Sequence, residues 1–255
     1  CSQSDVPSPT PNDTRVAQQR GHDELATRQV ARSVEPTVDF ENPDPVAVED
    51  FIESYADGSI HRQAECYFDH QAERVLHGNF VEFYPGGKLF CEGSYAHGQR
   101  HGQWEFRHRD GQTARRAYFD HGAATGRWGW YRSDGTLSRE SSYSQGKLDG
   151  ESVSYAVDGE SPVESDHYRA GQRHGTFSRW YPSGQKAVEI EFKHGVPDGR
   201  EVRWHDNGQI KAEGQHRTGS PHGVFNYWAK DGTPIKSVHW RDGRRVIQPL
   251  DRDDG

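Results

Sequence analysis

Hydrophobic and polar residues alternate in short runs along this chain, and the runs recur on a fixed schedule. In GTFSRWYPSGQKAVEIEFKHGVPDG, from Gly175 to Gly199, two strand-like runs, FSRWY and KAVEIEF, flank a Pro-Ser-Gly turn. Counted from the opening Gly, an aromatic stands two residues on (Phe177), Trp180 five on and a turn glycine nine on (Gly184). Another aromatic follows at seventeen (Phe192) and a second turn glycine at twenty (Gly195). The schedule restarts at Gly78, Gly102, Gly126, Gly150, Gly199 and Gly223, with every spacing 24 residues except one of 25. Such a period marks a repeat array, in which each unit buries its apolar face against its neighbours.

The second run of each unit alternates with period two: Leu89, Cys91, Gly93, Tyr95, then Lys186, Val188, Ile190, Phe192, then Ile210, Ala212, Gly214, His216. That is the pattern of a strand with one apolar face. The first run mixes parities. Trp104, Trp128, Phe177 and Phe225 sit at position two, but Tyr131, Tyr155, Trp180, Trp204 and Trp228 sit at position five. Either a bulge intervenes or aromatics line both faces. Between the runs stand Gly86-Gly87, Asp110-Gly111, Asp134-Gly135, Asp158-Gly159, Ser183-Gly184, Asn207-Gly208 and Asp231-Gly232. Asp-Gly and Asn-Gly between strand-like runs are strong hairpin signals, because tight turns need positive φ. The pattern predicts an all-β, elongated, twisted single-layer antiparallel meander of about eight hairpins, hence sixteen strands.

The repeats occupy 51–246. Residues 51–78 are a degenerate opening unit, with Gln71 where later units place Gly. Before them, 1–50 read as an arm: a Pro-containing, solvated spacer over 1–14, a short helix over Asp23–Val34 with Ala26, Val30 and Val34 in register, and an acidic linker over 35–50. Both edges of an open meander need protection from further pairing. The 35–50 segment is therefore expected to cap the first hairpin, so that deleting 1–50 would promote self-association. The tail, 247–255, is acidic and carries Pro249.

Composition agrees with a thin structure. Only 31% of the chain is hydrophobic, while 11% is aromatic. The net charge of -8 lies in the arm and tail, and the repeat region is neutral. That balance argues against nucleic acid, which needs clustered Lys and Arg along the phosphates.

The junctions YAHGQRHGQW, FDHGAATGRW, YSQGKLDGES, YRAGQRHGTF and FKHGVPDGRE resemble the MORN repeat, and more closely its longer bacterial variant. The resemblance covers about residues 51–246. It implies a scaffold, dimerisation or lipid-contact module. The chain departs from the pattern at Ser152 and Glu201, where the aromatic is missing. The beginning, Cys1 followed by SQSDVPSPTPND, resembles a mature bacterial lipoprotein. That resemblance implies lipidation of Cys1 and membrane anchorage, with Ser2 favouring the outer membrane, on its periplasmic or surface face.

Fifteen His residues raise the question of metal. His77, His101, His174 and His222 each precede an opening Gly, but equivalent positions in successive units lie about 9.6 Å apart, too far to share one ion. No metal or other cofactor is expected on this reading. Cys66 and Cys91 fall on second strands of adjacent units with one strand between them, which disfavours a disulfide. Hydrolase, phosphate-loop and metalloprotease motifs are absent, so a non-enzymatic protein is expected. The candidate partner-binding residues are Trp104, Trp128, Trp130, Tyr155, Trp180, Trp204 and Trp228, since Trp and Tyr concentrate at binding hot spots. Gly87, Gly111, Gly135, Gly159, Gly184, Gly208 and Gly232 are assigned to turns. The expected role is a cell-envelope scaffold for another envelope or surface protein. The alternative is a glycan- or peptidoglycan-binding module that uses exposed aromatics.

Overall fold

The computed structural model describes residues 47–246. The spacer of 1–14, the helix expected over Asp23–Val34, most of the 35–50 cap and the acidic tail lie outside the described residues. Every regular element described is a strand: β1 Glu49–Ser54, β2 Ile60–Phe68, β3 Arg74–Phe83, β4 Leu89–Ala96, β5 Gln99–Arg107, β6 Thr113–Asp120, β7 Ala123–Tyr131, β8 Leu137–Ser144 and β9 Lys147–Tyr155. They continue as β10 Pro162–Arg169, β11 Gln172–Arg173, β12 Gly175–Trp180, β13 Lys186–Lys193, β14 Val196–Trp204, β15 Ile210–Arg217, β16 Ser220–Trp228, β17 Pro234–Arg241 and β18 Arg244–Arg245. Neighbours in sequence pair antiparallel, in an open meander. The sixteen expected strands become eighteen because His174 interrupts one first strand to give β11 and β12, and β18 is a two-residue addition. At the other end, Glu49 and Asp50 already belong to β1 and pair with Cys66 and Glu65. The last residues of the expected cap are therefore part of the first hairpin.

By compactness the chain divides into two units. One comprises the described residues up to Gly135 together with Tyr143–Lys147; the other comprises Thr136–Ser142 and the described residues from Leu148 on.

The turns differ in type from the sequence expectation. The glycines at 87, 111, 135, 159, 184, 208 and 232 all have positive φ, but they close connections of five residues, six at Gly159, rather than two-residue loops. Gly87 N–H, for example, donates to Tyr84 O at 3.0 Å. The preceding acid holds the chain locally: Asp110 Oδ1 accepts from Gln112 N–H at 2.9 Å, and Asp231 Oδ1 from Thr233 N–H at 2.9 Å. The two-residue loops are the other set, His97-Gly98, His121-Gly122, His194-Gly195 and their counterparts, in which both residues have positive φ. This is the geometry that matches the twist of a tight hairpin. His is among the side chains enriched in left-handed backbone, so a His-Gly pair can serve where Asn-Gly was the anticipated signal.

Bulges answer the parity question. Pairing slips just before position five, at Phe83, Arg107, Trp180, Trp204 and Trp228. It slips again opposite the opening glycines, between Ala64 and Cys66 and between Glu92 and Ser94.

In the first unit the core is a row of rings. Trp104 is fully buried, with Phe80, Tyr95 and Phe106 at ring centroids of 5.5, 5.2 and 6.0 Å. Its indole N–H donates to Ser94 O at 3.1 Å, which satisfies the one polar atom it buries. Gly93 makes the space: a Cβ there would stand 2.3 Å from Trp104 Cδ2. Ala117, at the equivalent position of the next unit, pairs with Trp104 and is buried in the same core as Trp128. In the second unit Gly214 lies under Phe225, where a Cβ would stand 2.4 Å from the ring. A small residue at position fifteen thus receives the aromatic at position two of the following unit.

Cys66 and Cys91 are free and buried, on β2 and β4 with β3 between them. Burial pushes both thiols up, that of Cys91 to about 12. Its thiolate fraction at pH 8 is then on the order of 10⁻⁴. In the native full-length protein, Cys91 is expected to react with a thiol reagent at least ~100-fold more slowly than in urea, read by mass spectrometry. Equal rates in the two conditions would mean that β4 is open.

Candidate functional site

The candidate partner-binding aromatics separate into two groups. Trp104 and Trp128 are buried, so these two belong to the core and present no surface. Trp130 leans on the same core, 5.9 Å from Trp128 and half-buried. Tyr155, Trp180, Trp204 and Trp228, all at position five, are likewise only partly buried. Lys186 Nζ lies 6.0 Å from the centroids of both Trp180 and Trp204, so these two indoles and one ammonium form a continuous amphipathic strip. Tyr155 is held by a hydrogen bond from its hydroxyl to Glu140 Oε2 at 3.2 Å.

Where the aromatic at position two is missing, polar networks replace it. Ser152 and Ser141 are both buried, with their hydroxyls 2.7 Å apart. Arg139 Nε donates to Ser141 Oγ at 3.1 Å. Beside them opens a polar cavity of about 220 Å³, lined by Arg139, Ser152, Glu164, Asp166, Tyr168 and Arg173. Burial pushes the Asp166 carboxyl above the usual range, and the Arg173 guanidinium, 2.8 Å away, pulls it back. Two Arg and two acids make the cavity neutral as well as polar. At Glu201, 5% exposed, the carboxylate accepts from Arg203 and meets the ring of His216. The small residue that would receive an aromatic is absent here, since Glu201 pairs with Ile190.

Two recurring contacts had no counterpart in the sequence reading. The side chain at position six of one unit bonds the position-five carbonyl of the next. Tyr84 Oη donates to Arg107 O at 2.8 Å, and Tyr181 Oη to Trp204 O at 2.8 Å. His108 and His205 use Nε2 toward Tyr131 O and Trp228 O at 2.8 and 3.0 Å. A Tyr or His recurring at position six was the available signal. The second contact joins the residue before the opening Gly to the one twenty places on, before the second turn Gly. Ring centroids lie 4.9 Å apart for His77 and His97, 5.0 Å for His101 and His121, and 5.8 Å for His174 and His194. Equivalent positions of successive units stay too far apart to share an ion, but the fold brings together two different rows of histidines.

The family model described as MORN repeat variant matches residues 76–97, 173–194 and 197–217. No curated protein matches the chain. Among solved structures, an alternansucrase in complex with isomaltononaose is 14% identical, with 77% of this chain and 16% of that chain covered, and a TM-score of 0.21. That likeness carries no argument. With its in-phase hairpins and open antiparallel meander, the chain carries MORN-like repeats, three of which match that family model.

Proposed function

We propose that this protein is a non-enzymatic lipoprotein of the cell envelope, anchored through Cys1, that holds another envelope or surface protein against its repeat sheet. The observation that supports this reading is the row of partly buried indoles at position five. Trp180, Trp204 and Trp228 recur on consecutive units, and Lys186 bridges the first two. Indoles with an apolar body and one donor are the side chains most often found at the centre of protein interfaces. The neutral repeat region adds no strong field, so such contacts would rest on shape and apolar area rather than on charge steering.

The full-length protein carrying Trp180→Ala and Trp204→Ala is expected to retain its partner at least ~10-fold less well in pull-downs from native membranes. Circular dichroism checks that the sheet is intact. Lys186→Glu, which changes the strip without opening a cavity, should weaken retention in the same direction. An unchanged partner set with the fold intact overturns the reading. Loss of retention on peptidoglycan or polysaccharide instead would move it to glycan binding by the same aromatics. Mass spectrometry of native protein tests the anchor separately: an unmodified Cys1 removes the lipoprotein part and leaves the sheet's role to the pull-down.

A further inference from the structure

The three His–His rungs share one geometry and differ in the residue that precedes the turn. Beside His97 it is Ala96, beside His194 it is Lys193, and beside His121 it is Asp120. Only the His101–His121 rung therefore gains an acid. Asp120 Oδ1 lies 2.7 Å from His121 Nδ1 and 3.6 Å from His101 Nδ1. One ligand atom from each of the three side chains falls within 4.8 Å of the others. His101 Nδ1 is itself buried and has no hydrogen-bond partner, a lone pair or proton that the protein leaves unmatched at the middle of the cluster.

We propose that His101, Asp120 and His121 form a binding site for a divalent transition metal, zinc by the nature of the donors. Two imidazoles and one carboxylate suit zinc, and ligand distances of ~2.0–2.2 Å set donors roughly 3.5 Å apart around a tetrahedral ion. The 3.6 Å between His101 and Asp120 already has that value. The His121 ring need only turn from its hydrogen bond with Asp120 to share the ion. The fourth position is left to water or to a donor from outside the chain, because Asp120 and His121 are exposed.

The backbone holds the cluster in place. His121 has φ 44 in the two-residue loop between β6 and β7, and Gly122 N–H donates to Arg100 O at 2.8 Å. The turn bearing two of the ligands is thus tied to the neighbour of the third. Asp120 closes its strand opposite Ala123, fixing the direction from which the carboxylate approaches. The other rungs lack this combination. Lys193 places a cation beside His194, and His97 Nδ1 is engaged by Tyr67 Oη at 3.2 Å.

The test titrates metal-free full-length protein with zinc by calorimetry, and with cobalt(II) followed by its visible absorption. One equivalent is expected to bind in the micromolar range, with a cobalt spectrum of low coordination number. Asp120→Asn and His121→Asn are each expected to weaken it by at least ~10-fold. Asn keeps the tolerance of left-handed backbone at 121, and circular dichroism verifies folding. His194→Asn, on a rung without an acid, should leave the equivalent unchanged. Absence of zinc binding by the wild-type chain overturns the proposal. So does an equivalent that survives both cluster substitutions or disappears with His194→Asn.

Discussion

Trp104→Ala is expected to destabilise the first unit by about 3–5 kcal/mol, the range for removing a large buried aromatic from a core that cannot collapse around the gap. Trp104 is the largest fully buried side chain described, and its neighbours on β3, β4 and β5 are themselves rings that pack on it. Gly93→Ala tests the same contact from the other side. A methyl placed 2.3 Å from Trp104 Cδ2 must push the indole or the strand, for about 1–3 kcal/mol of overpacking. The two changes should not add. With Trp104 already replaced by Ala, the methyl at 93 meets empty space and its cost should fall to near zero. Denaturant unfolding of the four proteins gives the coupling, and hydrogen exchange should place the loosening at β4 and β5. Because units in a repeat array open semi-independently, the local measurement is the more direct one. Additive costs would show that Gly93 is needed for its backbone and not for the indole.

Removing the two bases around Glu201 is expected to cost more than removing the acid. Arg203→Ala with His216→Leu leaves a carboxylate 5% exposed and without its partners. Stranding a buried charge in this way costs about 3–5 kcal/mol. Leucine at 216 keeps apolar volume against Phe225, whose ring lies 5.6 Å from that of His216. Glu201→Gln should cost less, since Arg203 is half in solvent already and the Gln amide can still hydrogen-bond to both neighbours. Urea unfolding compares them. A larger loss from Glu201→Gln would make the acid the stabilising member and reverse the argument. Glu201→Phe is not a repair: the facing residue is Ile190, not the glycine or alanine that receives a ring elsewhere.

The candidate site was only partly legible. Position two and position five both carry aromatics in the sequence, and nothing in their spacing says which is buried. Trp104 vanishes into the core because Gly93 on the adjacent strand leaves room for the indole, and Trp128 is buried in the same cluster. Trp180, Trp204 and Trp228 stay only partly buried, at the place where the pairing register slips. Both facts depend on register across strands, which a single run does not encode. The histidine rungs were hidden for a related reason. Their partners stand twenty residues apart, at different positions of the same unit, whereas the periodicity draws attention to identical positions of successive units.

By itself the sequence determined the period, the hairpins, the antiparallel meander and the two places where the aromatic stripe fails. These follow from local chemistry: turn residues at fixed intervals, period-two alternation between them, and Ser152 and Glu201 standing where rings belong. The tertiary structure alone decided which of the two turns is the tight one. It also decided where the bulges fall, which tryptophans are fully buried, and that His101, Asp120 and His121 meet. Those outcomes are settled by pairing between strands, where a slip of one residue exchanges one face of the sheet for the other.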